Sequence, residues 1–251
     1  MESWVLDDLV KRPWNDLPIL DCGEGLVELK PDLHCIEPHP YLSLGAPYGQ
    51  SADPWRLRVG VISRLIKAQE YLNVFNHELQ FAIFDAWRPI AVQEFMIEHT
   101  INQQCLALGF DRKDQSRIND LKKIVEEVEH FWASPTFDPL LPPPHSTGAA
   151  VDITLAYRNG VLVDMGGKID EIGEVSYPNY FLKTSQDDFQ CKIWHQRRLT
   201  LSRAMAEAGF VQHPNEWWHF SYGDQLWAWM SQEDKAIYGS CSPFVSNEST
   251  L

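Results

Sequence analysis

Apolar residues recur with a helical period in several blocks of the chain. Across residues 55–76, Leu57, Val61, Leu65, Ala68 and Leu72 fall three or four apart, the stripe of an amphipathic helix. "LQFAIFDAW" (79–87) is short, apolar and aromatic, which predicts a buried strand. Arg88 follows, then Pro89 opens a second helix running to about Leu108. Ile118, Leu121, Val125, Val128 and Trp132 mark a third helix over 118–132. The prolines of "ASPTFDPLLPPP" (133–144) exclude regular helix there. "AAVDITLAY" (149–157) alternates and is rich in β-formers, and "RNG" followed by "VLVD" predicts a hairpin return. A fourth helix spans 191–210 and ends at Gly209, and "EWWHFSY" (216–222) predicts a last strand. The first 55 residues show no sustained period and predict loops with short strands. Helices gather early and strands late, so the expected class is α+β. No linker or internal repeat divides the chain, which predicts a single domain over 1–251, with 1–40 an N-terminal extension packed on the core.

Three segments set polar groups in apolar surroundings. In "HSTGAAVD", His145 precedes Asp152 by seven residues. An odd separation on a straight strand points side chains to opposite faces. For the two to meet, His145 must lie on a bend before the strand, and Gly148 permits one. Asp152 sits among Val151, Ile153 and Leu155, where a carboxylate needs a partner. In "NEWWHF", His219 could supply a third ligand, and His, Asp, His with one open position is a catalytic zinc set. Glu216 precedes His219 by three and shares its face only if the chain turns or bulges there; it then suits a general base. In "FDAWRP", Arg88 is placed to meet the negative oxygen that forms when water attacks a carbonyl.

Each residue also has a plainer reading. A lone histidine on an apolar strand is usually a satisfied core group. Asp152 alone could cap a turn, Glu216 could end a strand, and Asp85 with Arg88 could be a structural ion pair. Trp217, Trp218, Trp227 and Trp229 read as packing surface. His34, His39, His77, His99, His130, His195 and His213 lack a matching acidic pattern and read as structural or exposed.

Composition narrows the function classes. The 251 residues are 44% hydrophobic and 22% charged, the range of soluble globular chains, and are enough to bury a core. No apolar run has the length of a membrane span. The start, "MESWVLDDLVKRPWNDLP", lacks a basic region followed by a continuous apolar stretch, so no secretory signal and a cytoplasmic location are expected. The net charge of −14 disfavours nucleic-acid and anionic-membrane partners. Five widely spaced cysteines without a Cys-x-x-Cys predict reduced thiols rather than a disulfide framework.

Together, "FDAWRP", "HSTGAAVD" and "NEWWHF", in that order, resemble the zinc D-alanyl-D-alanine dipeptidases of the VanX type, from about Tyr41 to Tyr222. The resemblance implies an α+β fold of helices packed on a mainly antiparallel sheet that carries the zinc site, as in DD-carboxypeptidases and hedgehog domains. It implies one zinc ion held by His145, Asp152 and His219, with Glu216 as base and Arg88 stabilising the tetrahedral intermediate. "MGGKID" and "YLSLGAPYG" further match family segments that hold the substrate, which points to Asp170 for the amino group and to Tyr41. Pro143 stands where the family has a serine lining the pocket, and Ile169 replaces a usual aromatic. The implied activity is hydrolysis of D-alanyl-D-alanine or a similar small dipeptide. The alternatives are a zinc peptidase acting on other cell-wall peptides and a non-catalytic zinc-binding domain of the same fold.

Overall fold

A four-stranded antiparallel sheet sets the frame for everything that follows. The computed structural model describes residues 11–49, 53–184 and 188–242. In chain order the elements are β1 (Leu26–Glu28), α1 (Pro40–Ser43), β2 (Arg56–Arg58), α2 (Val59–Phe75), β3 (Leu79–Asp85), α3 (Ile90–Ala107) and α4 (Ile118–Phe131). They continue with β4 (Ala150–Tyr157), α5 (Tyr180–Thr184), α6 (Phe189–Glu207), β5 (Val211–Gln212), β6 (His219–Ser221) and α7 (Gln225–Met230). The sheet order is β3-β4-β6-β5, and β1 pairs with β2 in a separate two-stranded ribbon. The chain is thus α+β, with the helices packed on antiparallel sheet.

Period-two alternation gives the sheet two unlike faces. Val151, Ile153 and Leu155 of β4, with Phe81 and Ile83 of β3 and Phe220 of β6, turn into the main core. That core also takes Leu65, Ala68 and Leu72 of α2 and Leu201 and Met205 of α6. Asp152 and His219 alternate with these residues and are paired directly across β4 and β6. A second apolar cluster gathers Tyr41, Tyr48, α3 and α4.

Three local differences from the sequence pattern have physical causes. Arg56–Arg58 is strand rather than the first turn of a helix, because it pairs with Leu26–Glu28; the helix begins at Val59. A helical period cannot register an edge strand that directly precedes it. The last strand covers only His219–Ser221, because Glu216 lies in a turn ahead of it. The hairpin return after "RNG" is reduced to one bridge, Ala156 with Leu162. Two short helices, α5 and α7, and the four-residue α1 lie where no period could be read.

Gly148 closes the 3-10 turn Pro144–Thr147 at φ +70°, and a β-carbon there would run into the Leu26 side chain. Gly148→Ala is expected to destabilise the protein by ~1–2 kcal/mol from the backbone term alone. A denaturation midpoint unchanged from wild type would contradict this.

Candidate metal centre and active site

The odd spacing of His145 and Asp152 is resolved by placing only Asp152 on a strand. His145 sits in the 3-10 turn before β4, and its carbonyl accepts from the Arg88 backbone N–H at 3.3 Å. Its Nδ1 donates to the Ala86 carbonyl at 2.7 Å, which leaves the Nε2 lone pair facing inward. That Nε2 is 3.3 Å from Asp152 Oδ2 and 3.2 Å from His219 Nδ1. His219 Nδ1 is in turn 3.0 Å from Asp152 Oδ1. The outer nitrogen of His219 lies 3.4 Å from Ser221 Oγ, whose hydroxyl donates to Asp224 Oδ2 at 2.7 Å. One ligand atom from each of His145, Asp152 and His219 lies within 4.8 Å of the others, and all three residues are buried.

Two imidazole nitrogens and a carboxylate turned onto one point need a proton or a cation shared among them. Burial opposes ionisation of Asp152, yet the two histidines, His145 first, hold its carboxyl well below the ordinary range. The outer partners of both rings are the kind that orient metal-bound histidines. The donor set therefore fits a cation such as zinc.

Glu216 reaches this centre through a turn. His213-Pro214-Asn215-Glu216 closes with the Glu216 N–H donating to the His213 carbonyl at 3.4 Å. Proline after the first residue suits that turn. The Glu216 oxygens come to 3.7 Å from His219 Nδ1 and 3.7 Å from His213 Nδ1. Burial, with Asp152 adding, pushes the Glu216 carboxyl up to about 8, against the pull of His145, Arg12 and Arg88. Trp217 and Trp218, between the two polar groups, are packed into the main core.

A β-bulge between Ile83 and Asp85 brings Asp85 opposite Asp152, although Phe81 and Ile83 face the core. Asp85 then meets Arg88, whose Nη2 and Nε donate to its Oδ2 at 2.7 and 3.0 Å. The ion pair and the site reading of Arg88 thus coexist. Arg88 Nη1 donates to Gln93 Oε1 at 2.7 Å, and Nη2 lies 3.4 Å from Asp152 Oδ2. Arg88 Nη2 also donates to Tyr41 Oη at 3.2 Å, and Tyr41 donates onward to Asp170 Oδ2 at 2.8 Å. Burial, then Asp152, pushes the Asp170 carboxyl up to about 8. Asp170 itself adopts φ 64°, on a loop held by Arg198, which donates to the carbonyls of Met165, Val175 and Tyr177.

All seven residues singled out from the sequence lie in one region, and all but Tyr41 line one pocket of about 100 Å³. Two buried histidines read as lacking acidic partners do have them, besides the exposed His77 beside Glu78. His39 Nε2 lies 3.2 Å from Asp85 Oδ1, and His213 borders Glu216 and lines the pocket. The first pairing is non-local, crossing from the segment before α1 to β3; the second spans three residues and depends on the turn at Pro214. Only "HPNE" carried a readable signal, as a proline-asparagine turn. The pocket also takes Arg12, Trp14 and Asn15 from the N-terminal segment, which no motif marked.

A family model described as D-ala-D-ala dipeptidase, of the M15 peptidases, matches residues 37–237. The chain belongs to this D-ala-D-ala dipeptidase family. A D-alanyl-D-alanine dipeptidase of Synechocystis sp. is 44% identical over 227 residues, covering 88% of this chain and 91% of the relative. The Escherichia coli D-alanyl-D-alanine dipeptidase is 36% identical over 76 residues, 30% of this chain and 36% of that one. Among solved structures, a D,D-pentapeptidase VanY variant in complex with Zn(II) superposes at a TM-score of 0.43 with 12% identity, over 71% of this chain and 80% of that chain. No helix among the described residues of this dipeptidase-family chain is long and apolar enough to cross a membrane.

Proposed function

We propose that this chain is a zinc peptidase that hydrolyses D-alanyl-D-alanine, or a dipeptide like it, to free amino acids. The carrying observation is that a buried His–Asp–His donor set shares a pocket with a carboxyl, Glu216, that faces the donors without being one of them. In this reading His145, Asp152 and His219 hold one zinc ion per chain. Bound there, zinc supplies Lewis acidity that activates water and polarises a carbonyl.

Glu216 takes the proton of the attacking water on a carboxylate oxygen and passes it to the leaving amine nitrogen. Burial raises the Glu216 carboxyl, and a cation held by the three donors beside it would counter that and favour the ionised form that accepts the proton. Arg88 donates to the oxygen that gains charge. Asp85, Gln93 and Tyr41 already hold its guanidinium in place, so little reorganisation is needed at the moment of reaction. Asp170, with Tyr41 behind it, receives the substrate ammonium, and that pairing favours its ionised form. The name of the Synechocystis relative supports the dipeptide class.

Zinc-loaded protein is expected to cleave a D,D-dipeptide and leave the matching tripeptide intact, read by release of free amino acids. Cleavage of the tripeptide would move the reading to a carboxypeptidase, and no cleavage of any D,D-, L,D- or L,L-dipeptide would overturn it. His219→Ala is expected to drop bound zinc well below one per chain. Full zinc content in that variant, measured by mass spectrometry of the metal, would sink the ligand set.

A further inference from the structure

We propose that Arg12 recognises the C-terminal carboxylate of the substrate and so selects free dipeptides over chains extended or blocked at that end. The inference rests on the dipeptidase reading above, and concerns a part of the substrate to which that reading assigns no partner.

Five carboxylates and two arginines line the pocket. An ammonium is well served by such walls, but a carboxylate entering them needs a cation. The charge of Arg88 is already balanced by Asp85 at 2.7 Å and Asp152 at 3.4 Å, and in that reading its remaining donor serves the oxyanion. Arg12 is not so balanced: its Nη2 and Nη1 donate to the carbonyls of Glu129 and His130, at the end of α4, at 2.6 and 3.0 Å. It forms no ion pair with a carboxylate among the described residues. A guanidinium has five N–H donors in a planar fork, and that fork matches a carboxylate. Two bonds to carbonyls leave donors free.

Arg12 enters on the side of the Glu216 turn, since the His130 carbonyl it binds also accepts from Asn215 Nδ2, whereas Asp170 is tied through Tyr41 to Arg88. The charge of Arg12 acts on Glu216, whereas the charges that dominate at Asp170 are Asp152, Arg88 and Asp85. An ammonium at Asp170 and a carboxylate at Arg12 would thus leave the scissile bond between them, beside Glu216. The wall formed by Pro142, Pro143 and Pro144 offers no N–H to share that task.

The segment is fixed rather than draped. The Arg12 N–H donates to Asn15 Oδ1 at 3.1 Å, and Trp14 packs edge-on to His213 at 5.8 Å and against Trp229 at 5.7 Å. Gln225 Nε2 donates to the carbonyls of Asn15 and Leu17, and Pro18 to Cys22 bond to residues 236 and 237. An arginine held this way gives up little freedom on meeting a ligand.

The test compares D-alanyl-D-alanine with its C-terminal amide by calorimetric titration of zinc-loaded Glu216→Gln protein, in which turnover is expected to be slow enough for binding to be read. Adding Arg12→Met is expected to weaken the free dipeptide about 10- to 100-fold and leave the amide nearly unchanged, the loss of a charge-assisted bond. Arg12→Lys is expected to recover part of the preference. Equal weakening of both ligands would mean that Arg12 only anchors the segment to α4, and no weakening of either would mean that it is idle; each overturns the proposal. Dipeptide cleavage by the wild-type holoenzyme is the separate check. If it is present while Arg12→Met shows no selective loss, only the Arg12 assignment falls. If it is absent, the dipeptidase reading falls and takes this one with it.

Discussion

Glu216→Gln is expected to lower turnover by about 10²–10⁴-fold while zinc remains bound, because it removes the proton carrier and leaves all three donor residues in place. The amide is nearly the size of the acid, so the turn at Pro214 and the packing of Trp217 and Trp218 should persist. The same variant has a second signature in metal-free protein. The folded-state carboxyl is raised from 4.5 to about 8 by burial and by Asp152. Between those values the native state holds more protons than the unfolded chain, so wild-type stability falls as pH rises through that window. Glutamine has no such titration. Urea midpoints of the chelated proteins should therefore diverge in favour of Glu216→Gln from about pH 5 to pH 8. Near wild-type hydrolysis by the variant would remove Glu216 from the chemistry, whatever its effect on stability.

Arg88→Ala is expected to strike twice. Losing a donor to the developing oxyanion costs about 10²–10³-fold in turnover. Losing one partner of a buried ion pair costs ~3–5 kcal/mol of stability, because Asp85 keeps its charge in a fully buried place. Tyr48 Oη donates to Asp85 Oδ1 at 3.1 Å and His39 lies close by, which places the stability loss at the lower end. The two effects can be separated. Asp85→Asn with Arg88→Met removes both charges and should regain much of the stability, judged by denaturant midpoint, without regaining hydrolysis. If the double variant regained hydrolysis as well, Arg88 would be a structural cation and nothing more.

Much of the architecture could be read from periodicity. α2, α3, α4 and α6 are long enough for a 3.6-residue stripe to emerge, and β3 and β4 are bounded by turns and charged residues. What escaped reading was short or non-local. Arg56–Arg58 is strand only because Leu26–Glu28 runs beside it, and three residues carry too little period to show this. β6 shrinks to His219–Ser221 because a turn interrupts a run whose composition is uniformly aromatic. The bulge at Asp85 is invisible to alternation, which would have sent that carboxylate into the core.

The sequence by itself determined the chemical inventory: two histidines, an aspartate, a glutamate and an arginine at spacings that make sense only together. It also set one geometric condition, that the chain turn between Glu216 and His219. Tertiary structure decided which of these groups meet. Antiparallel pairing sets Asp152 opposite His219, a 3-10 turn swings His145 in from outside the strand, and the bulge turns Asp85 toward Arg88. It alone brought Arg12 to the same pocket, from a segment that shares no pattern with the motifs. The reason is physical: side-chain period is a local property of the backbone, whereas register, bulges and the docking of the N-terminal segment are settled by contacts between residues far apart in the chain.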